Sequence, residues 1–295
     1  MKVLKSYATG IKDATIKPKL TVILWLIVFL LASVIYFLVS GTVSDALASN
    51  PASESMMEKV DSNLLFDILV HYGDPIPLIF QVGFILMGAS LLISIFLKGG
   101  ILHILRISQD SKKEQKSQPH FLSVFFQGAG KYVSRFFRLW IYSFLLWIGF
   151  ILINMILTPL GKIITGDGGS ERLLVYVFAA RVVIGIFLVF LIKMILDYAR
   201  IKIVAEDSRK VLGSLGRSIK FVFSKLGKTL ALFYLLLLTG ILFIAVFWFL
   251  KSLVPTNTLL TMAAAFIIGQ VIIFIRCWSS VTFQAGQLDF YVSEA

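Results

Sequence analysis

This chain predicts an all-α membrane protein: six transmembrane helices, with amphipathic interfacial helices on the cytoplasmic side. Three observations carry that prediction. Six apolar stretches have the length of a bilayer crossing, the loops between them alternate between rich and poor in Lys and Arg, and residues at the exits of spans two and four recur at equal spacing, which suggests three repeated helix-hairpin units.

Apolar residues make up 58% of the chain and charged residues only 15%, with a mean hydropathy of +0.90. A soluble domain could not bury that much apolar surface, so lipid must be the solvent for much of it. A hydrocarbon core of about 30 Å takes roughly 20 helical residues, which places spans near 20–40, 76–97, 139–160, 173–196, 229–250 and 259–280. Helices are required because each crossing must satisfy its own backbone hydrogen bonds. The runs lack strict alternation and are about twice the length of a barrel strand, which argues against a β-barrel. The whole of 1–295 reads as one integral membrane domain.

The first span follows a basic leader of Lys2, Lys5, Lys12, Lys17 and Lys19, and Ala46-Leu47-Ala48 resembles a signal-cleavage site. The apolar run from Leu20 to Val39 is longer than a signal core, so a retained anchor is expected. Residues 52–72, with Met56, Met57, Val60, Leu64, Leu65, Ile68 and Leu69, predict an acidic amphipathic segment outside the membrane.

After the second span, Asp110 to Pro119 reads as a polar linker. From Phe121 to Arg138, the residues Phe121, Leu122, Phe125, Phe126, Val133, Phe136 and Phe137 can share one broad apolar face, while Lys131, Arg135 and Arg138 snorkel toward headgroups. The pattern repeats in Leu212, Leu215, Ile219, Val222, Phe223 and Leu226, with Arg217, Lys220 and Lys225 as the basic fringe. These six cations are the expected inner-leaflet contacts. The glycine-rich 166–170 is a turn between the third and fourth spans and does not match a phosphate-binding loop.

Of the 28 Lys and Arg residues, 21 lie in the N-terminal leader and the two long loops 98–138 and 200–228, against four in the other connections. Positive segments stay in the cytoplasm, so both termini are expected there, in a bacterial cytoplasmic (inner) membrane. The net charge of +12 then faces anionic headgroups, and no nucleic-acid-binding pattern competes with that account.

Phe96-Leu97 through Arg106-Ile107, laid over Phe190-Leu191 through Arg200-Ile201, repeats Phe, Leu, Ile, Leu, Arg and Ile at equal spacing. Leu288-Asp289-Phe290 echoes Leu196-Asp197-Tyr198. On the Asp197-Tyr198-Ala199-Arg200-Ile201 exit from span four, the basic helix into span five and the Lys98-Gly99-Gly100 exit from span two, the chain resembles a family of bacterial six-helix membrane proteins. That family includes the membrane domain attached to some glycerophosphodiester phosphodiesterases. The soluble phosphodiesterase domain is not in this sequence, so the resemblance implies the membrane architecture and no catalytic residue.

The candidate chemistry is sparse. His71, His103 and His120 stand far apart, and Cys277 is single, so no metal or other cofactor is expected. His103 could approach Asp197 if the repeats packed side by side. Neither a Ser-His-Asp arrangement, a Walker loop, HExxH nor paired intramembrane carboxylates occur, so no enzymatic activity is expected. Arg181 and Arg276 are the anomaly, because a charge at the bilayer centre costs at least about 2.5 kcal/mol and no central carboxylate faces them. They could snorkel to the interfaces, hold an anionic lipid or ligand within the bundle, or pair with another membrane protein. The expected function is therefore a non-enzymatic multi-pass protein associating with anionic lipid or a membrane partner complex. The alternative is a small transporter or lipid-translocating protein with Arg181 and Arg276 in one anion-binding cavity.

Overall fold

The computed structural model describes residues 2–48, 75–114, 121–165, 171–255 and 258–294. Among them are eight helices and no strand: α1 (Lys2–Ile16), α2 (Pro18–Ala48), α3 (Pro75–Glu114), α4 (Phe121–Thr165), α5 (Glu171–Ala205), α6 (Val211–Ser224), α7 (Leu226–Ser252) and α8 (Leu259–Glu294). Six of them, α2, α3, α4, α5, α7 and α8, are long and apolar enough to cross a membrane. The chain is a multi-pass membrane protein of the all-α class. The expected external segment 52–72 and the turn 166–170 lie outside the described residues.

Two compact units divide the chain. The smaller, Val22–Ile95, takes most of α2 and the first half of α3. Many of its described apolar side chains, such as Leu30, Phe37, Phe84 and Met87, are exposed. The larger unit combines Met1–Thr21 with Phe96–Ala295.

Each long helix of the larger unit changes character along its length. In α5 the residues Leu191, Ile192, Met194, Ile195, Tyr198, Ala199, Ile201, Ile203 and Val204 are buried, whereas Leu174, Val175, Tyr176, Phe178 and Val183 are exposed. The same switch occurs in α4 after Leu139, in α7 after Gly240 and in α8 before Cys277. One end of this unit is thus a packed core, and the other presents large apolar side chains outward. Leaving such surface in water would cost on the order of 25 cal/mol per Å², so its solvent is lipid.

The packed end is built from small residues and amphipathic faces. In α1, Ser6, Gly10, Asp13 and Ala14 fall on one face at i, i+4, i+7 and i+8, and that face packs on α8 and α7. Ser6 Oγ donates to Asp289 Oδ2 at 2.8 Å, and the Tyr7 and Thr239 hydroxyls meet at 2.7 Å. In α6, Val211, Ser214, Leu215, Ser218 and Val222 form the buried face against α5, while Leu212 and Phe223 point outward. Phe221 closes this cluster, its ring against Tyr198, Phe290 and Tyr291.

Two expectations about local structure differ from what forms. The segment 121–138 is not a separate helix: α4 runs through it without a break, because the apolar run continues in helical phase into the span. Its residues divide between two faces, with Phe125 and Phe136 buried and Leu122, Phe126 and Phe137 exposed. A Cβ at Gly100 would touch the Phe125 ring, so the glycine makes room for it. The polar stretch after Asp110 continues α3 to Glu114, helped by good helix formers and an Arg106–Asp110 pair at 3.3 Å, one turn apart.

Candidate functional site

A cavity of about 340 Å³ lies inside the larger unit, where the packed core gives way to the exposed apolar halves of α5, α7 and α8. Four cations line it: Lys98 of α3, Lys193 and Arg200 of α5, and Arg276 of α8. The lone carboxylate among the lining residues, Asp197, receives a hydrogen bond from Arg200 Nη1 at 2.7 Å. Lys98 has Arg200, Asp197 and Lys193 as its charged neighbours.

The helical period explains why these groups meet. Lys193, Asp197 and Arg200 are spaced i, i+4, i+7, which puts all three on one face of α5. On α8, Arg276, Ser280, Gln284 and Gln287 form a second polar stripe at i, i+4, i+8 and i+11. Gly240 lets α7 approach α8 beneath the cavity, since a Cβ there would lie 2.5 Å from Ser279 Oγ. Leu237, Ile241, Ile244 and Phe283 supply apolar wall.

The ends of the cavity differ. Arg276 and Lys193 are exposed at its outer side, and Lys193 Nζ sits over the Phe233 and Phe283 rings at 5.5 and 5.2 Å. Gln287 is only 1% exposed, and its Nε2 has no hydrogen-bond partner. Gln284 Nε2 donates to Ser280 O at 3.3 Å, which leaves the buried Gln284 Oε1 without a donor. A buried donor and a buried acceptor, both unpaired, border one cationic cavity.

Arg181, singled out with Arg276, lines a different and shallower depression of α4 and α5 beside Asn154 and Phe178. Arg181 and Arg200 are about 28 Å apart along α5 at 1.5 Å per residue, so the two arginines of the sequence analysis do not line one cavity.

The expected inner-leaflet cations mostly have carboxylate partners. Lys131 Nζ and Arg135 Nη1 bind Asp207 at 2.9 and 2.6 Å. Arg217 meets Glu206 at 3.2 Å, and Lys225 meets Glu294 at 2.7 Å. Arg138 donates through Nε to Ser134 O, and Lys220 is exposed. Outside the spans, the Asp207 carboxyl is held below its ordinary pKa, chiefly by the hydrogen bond from Lys131; burial opposes this, and the hydrogen bond from Arg135 and the two positive charges add to the lowering. His103 does not reach Asp197; its ring tilts against Tyr132 at 5.7 Å.

Sequence reasoning found Arg276 but missed Lys98, Lys193, Arg200, Gln284 and Gln287. The i, i+4, i+7 spacing on α5 and the glutamine stripe on α8 were the available signals. No family model, curated protein or solved structure matches this chain.

Proposed function

We propose that this multi-pass protein binds an anionic phospholipid by its phosphate in the Lys98, Lys193, Arg200 and Arg276 cavity, and that its role is binding rather than catalysis. One observation carries the reading: four cations and a single, already committed carboxylate surround a cavity at the seam between packed core and lipid-facing helices. Phosphate oxygens would supply both the missing negative charge and acceptors for charge-assisted hydrogen bonds. The exposed apolar surface of α7 beyond the seam, including Leu238, Leu242 and Val246, offers a track for acyl chains.

The orientation belongs to the same proposal: the basic ends face the cytoplasm of a bacterial inner membrane, where anionic headgroups attract Lys and Arg by about 1 kcal/mol each. A membrane partner complex remains the companion role, served by the exposed apolar faces. A translocating cavity shared by Arg181 and Arg276 has less to support it, because the two line separate depressions.

Native mass spectrometry of protein released from membranes with lipid retained tests the reading. Replacing Lys98 and Arg276 together with Gln is expected to leave insertion intact and reduce bound anionic lipid about tenfold or more, from two lost charge-assisted contacts. Undiminished lipid in the double variant would overturn it.

A further inference from the structure

The unpaired amides of Gln284 and Gln287 narrow the ligand beyond its charge. An unpaired buried polar group costs about 1 to 3 kcal/mol, so two of them beside a cavity mark groups that a ligand satisfies. Gln287 Nε2 is a donor and asks for an acceptor, which a phosphate or a hydroxyl can supply. Gln284 Oε1 is an acceptor and needs a donor. A fully ionised phosphate has none.

An ammonium headgroup has donors but would enter a site holding Lys98, Lys193, Arg200 and Arg276, and like charges in such surroundings repel strongly. An uncharged hydroxyl gives the donor without that repulsion.

We infer that the cavity selects a phospholipid whose phosphodiester carries an uncharged polyol, with the phosphate among the four cations and a polyol hydroxyl donating to Gln284 Oε1. The inference rests on the anionic-lipid reading, which the test keeps separate. Purified protein in nanodiscs would be offered equal amounts of phosphatidylglycerol, phosphatidic acid and phosphatidylserine beside zwitterionic phosphatidylcholine, without and then with free glycerol phosphate, and the retained lipid counted by native mass spectrometry.

Wild type is expected to favour phosphatidylglycerol about fivefold or more, the effect of one or two neutral hydrogen bonds. Gln284→Leu and Gln287→Leu, made separately and checked for a single species in solution, should each bring the ratios of phosphatidylglycerol to the other two anionic lipids toward unity. Equal retention of all three lipids by wild type, or selectivity unmoved in both leucine variants, would overturn the polyol inference and leave the anionic-lipid reading standing. Retention of none of them above a zwitterionic lipid would overturn both. Displacement of bound phosphatidylglycerol by free glycerol phosphate would keep the polyol phosphate chemistry and reject the lipid as its source.

Discussion

Gly10 of α1 lies directly against Gly286 of α8: a Cβ built on Gly10 would come within 2.9 Å of the Gly286 Cα. No flexible side chain stands between the two backbones, so even one methyl group requires α1 to move. Gly10→Val should therefore destabilise the packed end by about 1 to 3 kcal/mol, read as a lower unfolding temperature in detergent. A Cβ added at Gly130 of α4 would meet nothing within 4 Å, so Gly130→Ala should be neutral or gain up to about 1 kcal/mol from helix propensity. Equal effects of the two substitutions would refute close packing as the cause.

Asp207 connects α5 to α6 with φ of 47°, a left-handed conformation, while its carboxylate binds Lys131 and Arg135 of α4. Its folded pKa lies below the unfolded value, so its stabilisation is present above roughly pH 4 and is lost as pH falls through the folded pKa. The carboxylate is half exposed, so screening limits the effect to about 1 kcal/mol. Asp207→Asn, which tolerates the same backbone, should remove that part of the acid sensitivity and little else. Thermal unfolding at pH 7 and pH 3 would show it; an unchanged difference between the two pH values in the variant would exclude Asp207 as its source.

The orientation predicts opposite labelling for two exposed positions. In a Cys277→Ser background, a cysteine replacing Ser252 should react with an impermeant thiol reagent in intact cells after outer-membrane permeabilisation. A cysteine replacing Arg209 should react only once the inner membrane is opened. The reverse pattern would invert the proposed topology.

The amphipathic α6 is expected to lie along the inner leaflet, because Leu212 and Phe223 are exposed together on a flank beside its buried face. A nitroxide at Phe223 should be relaxed by oxygen, which concentrates in lipid, more than by a water-soluble nickel chelate. Stronger relaxation by the chelate would place that face in water.

Which helices are long and apolar enough to cross a membrane was legible in the sequence, because apolar length and charge are local, whereas α1, expected only as a basic leader, is made a helix of the core by its packing on α8. Where helices stop was less so. The expected boundary at Arg138 dissolved because nothing in the sequence breaks helical phase there, whereas Lys225, with φ of −127° and ψ of 32°, does separate α6 from α7. For the candidate site, Arg276 stood out as a charge in apolar text. Lys98 and Arg200 did not, since at span ends they looked like ordinary topology signals; only the packing of α3, α5 and α8 around one cavity distinguishes them. Gln284 and Gln287 became informative through what they lack, and hydrogen-bond satisfaction is a three-dimensional property.

The unbroken α4 also has a mechanical consequence. Its 45 residues extend for about 67 Å, more than twice a hydrocarbon thickness of about 30 Å, and its first proline is Pro159. The helix has no joint at the level where headgroups would lie. A tilt of its lipid-facing arm would therefore be passed toward the packed arm with no proline between them. Lys131 and Arg135 ride on that second arm, so their clasp on Asp207 would be where such a tilt is felt first outside the spans.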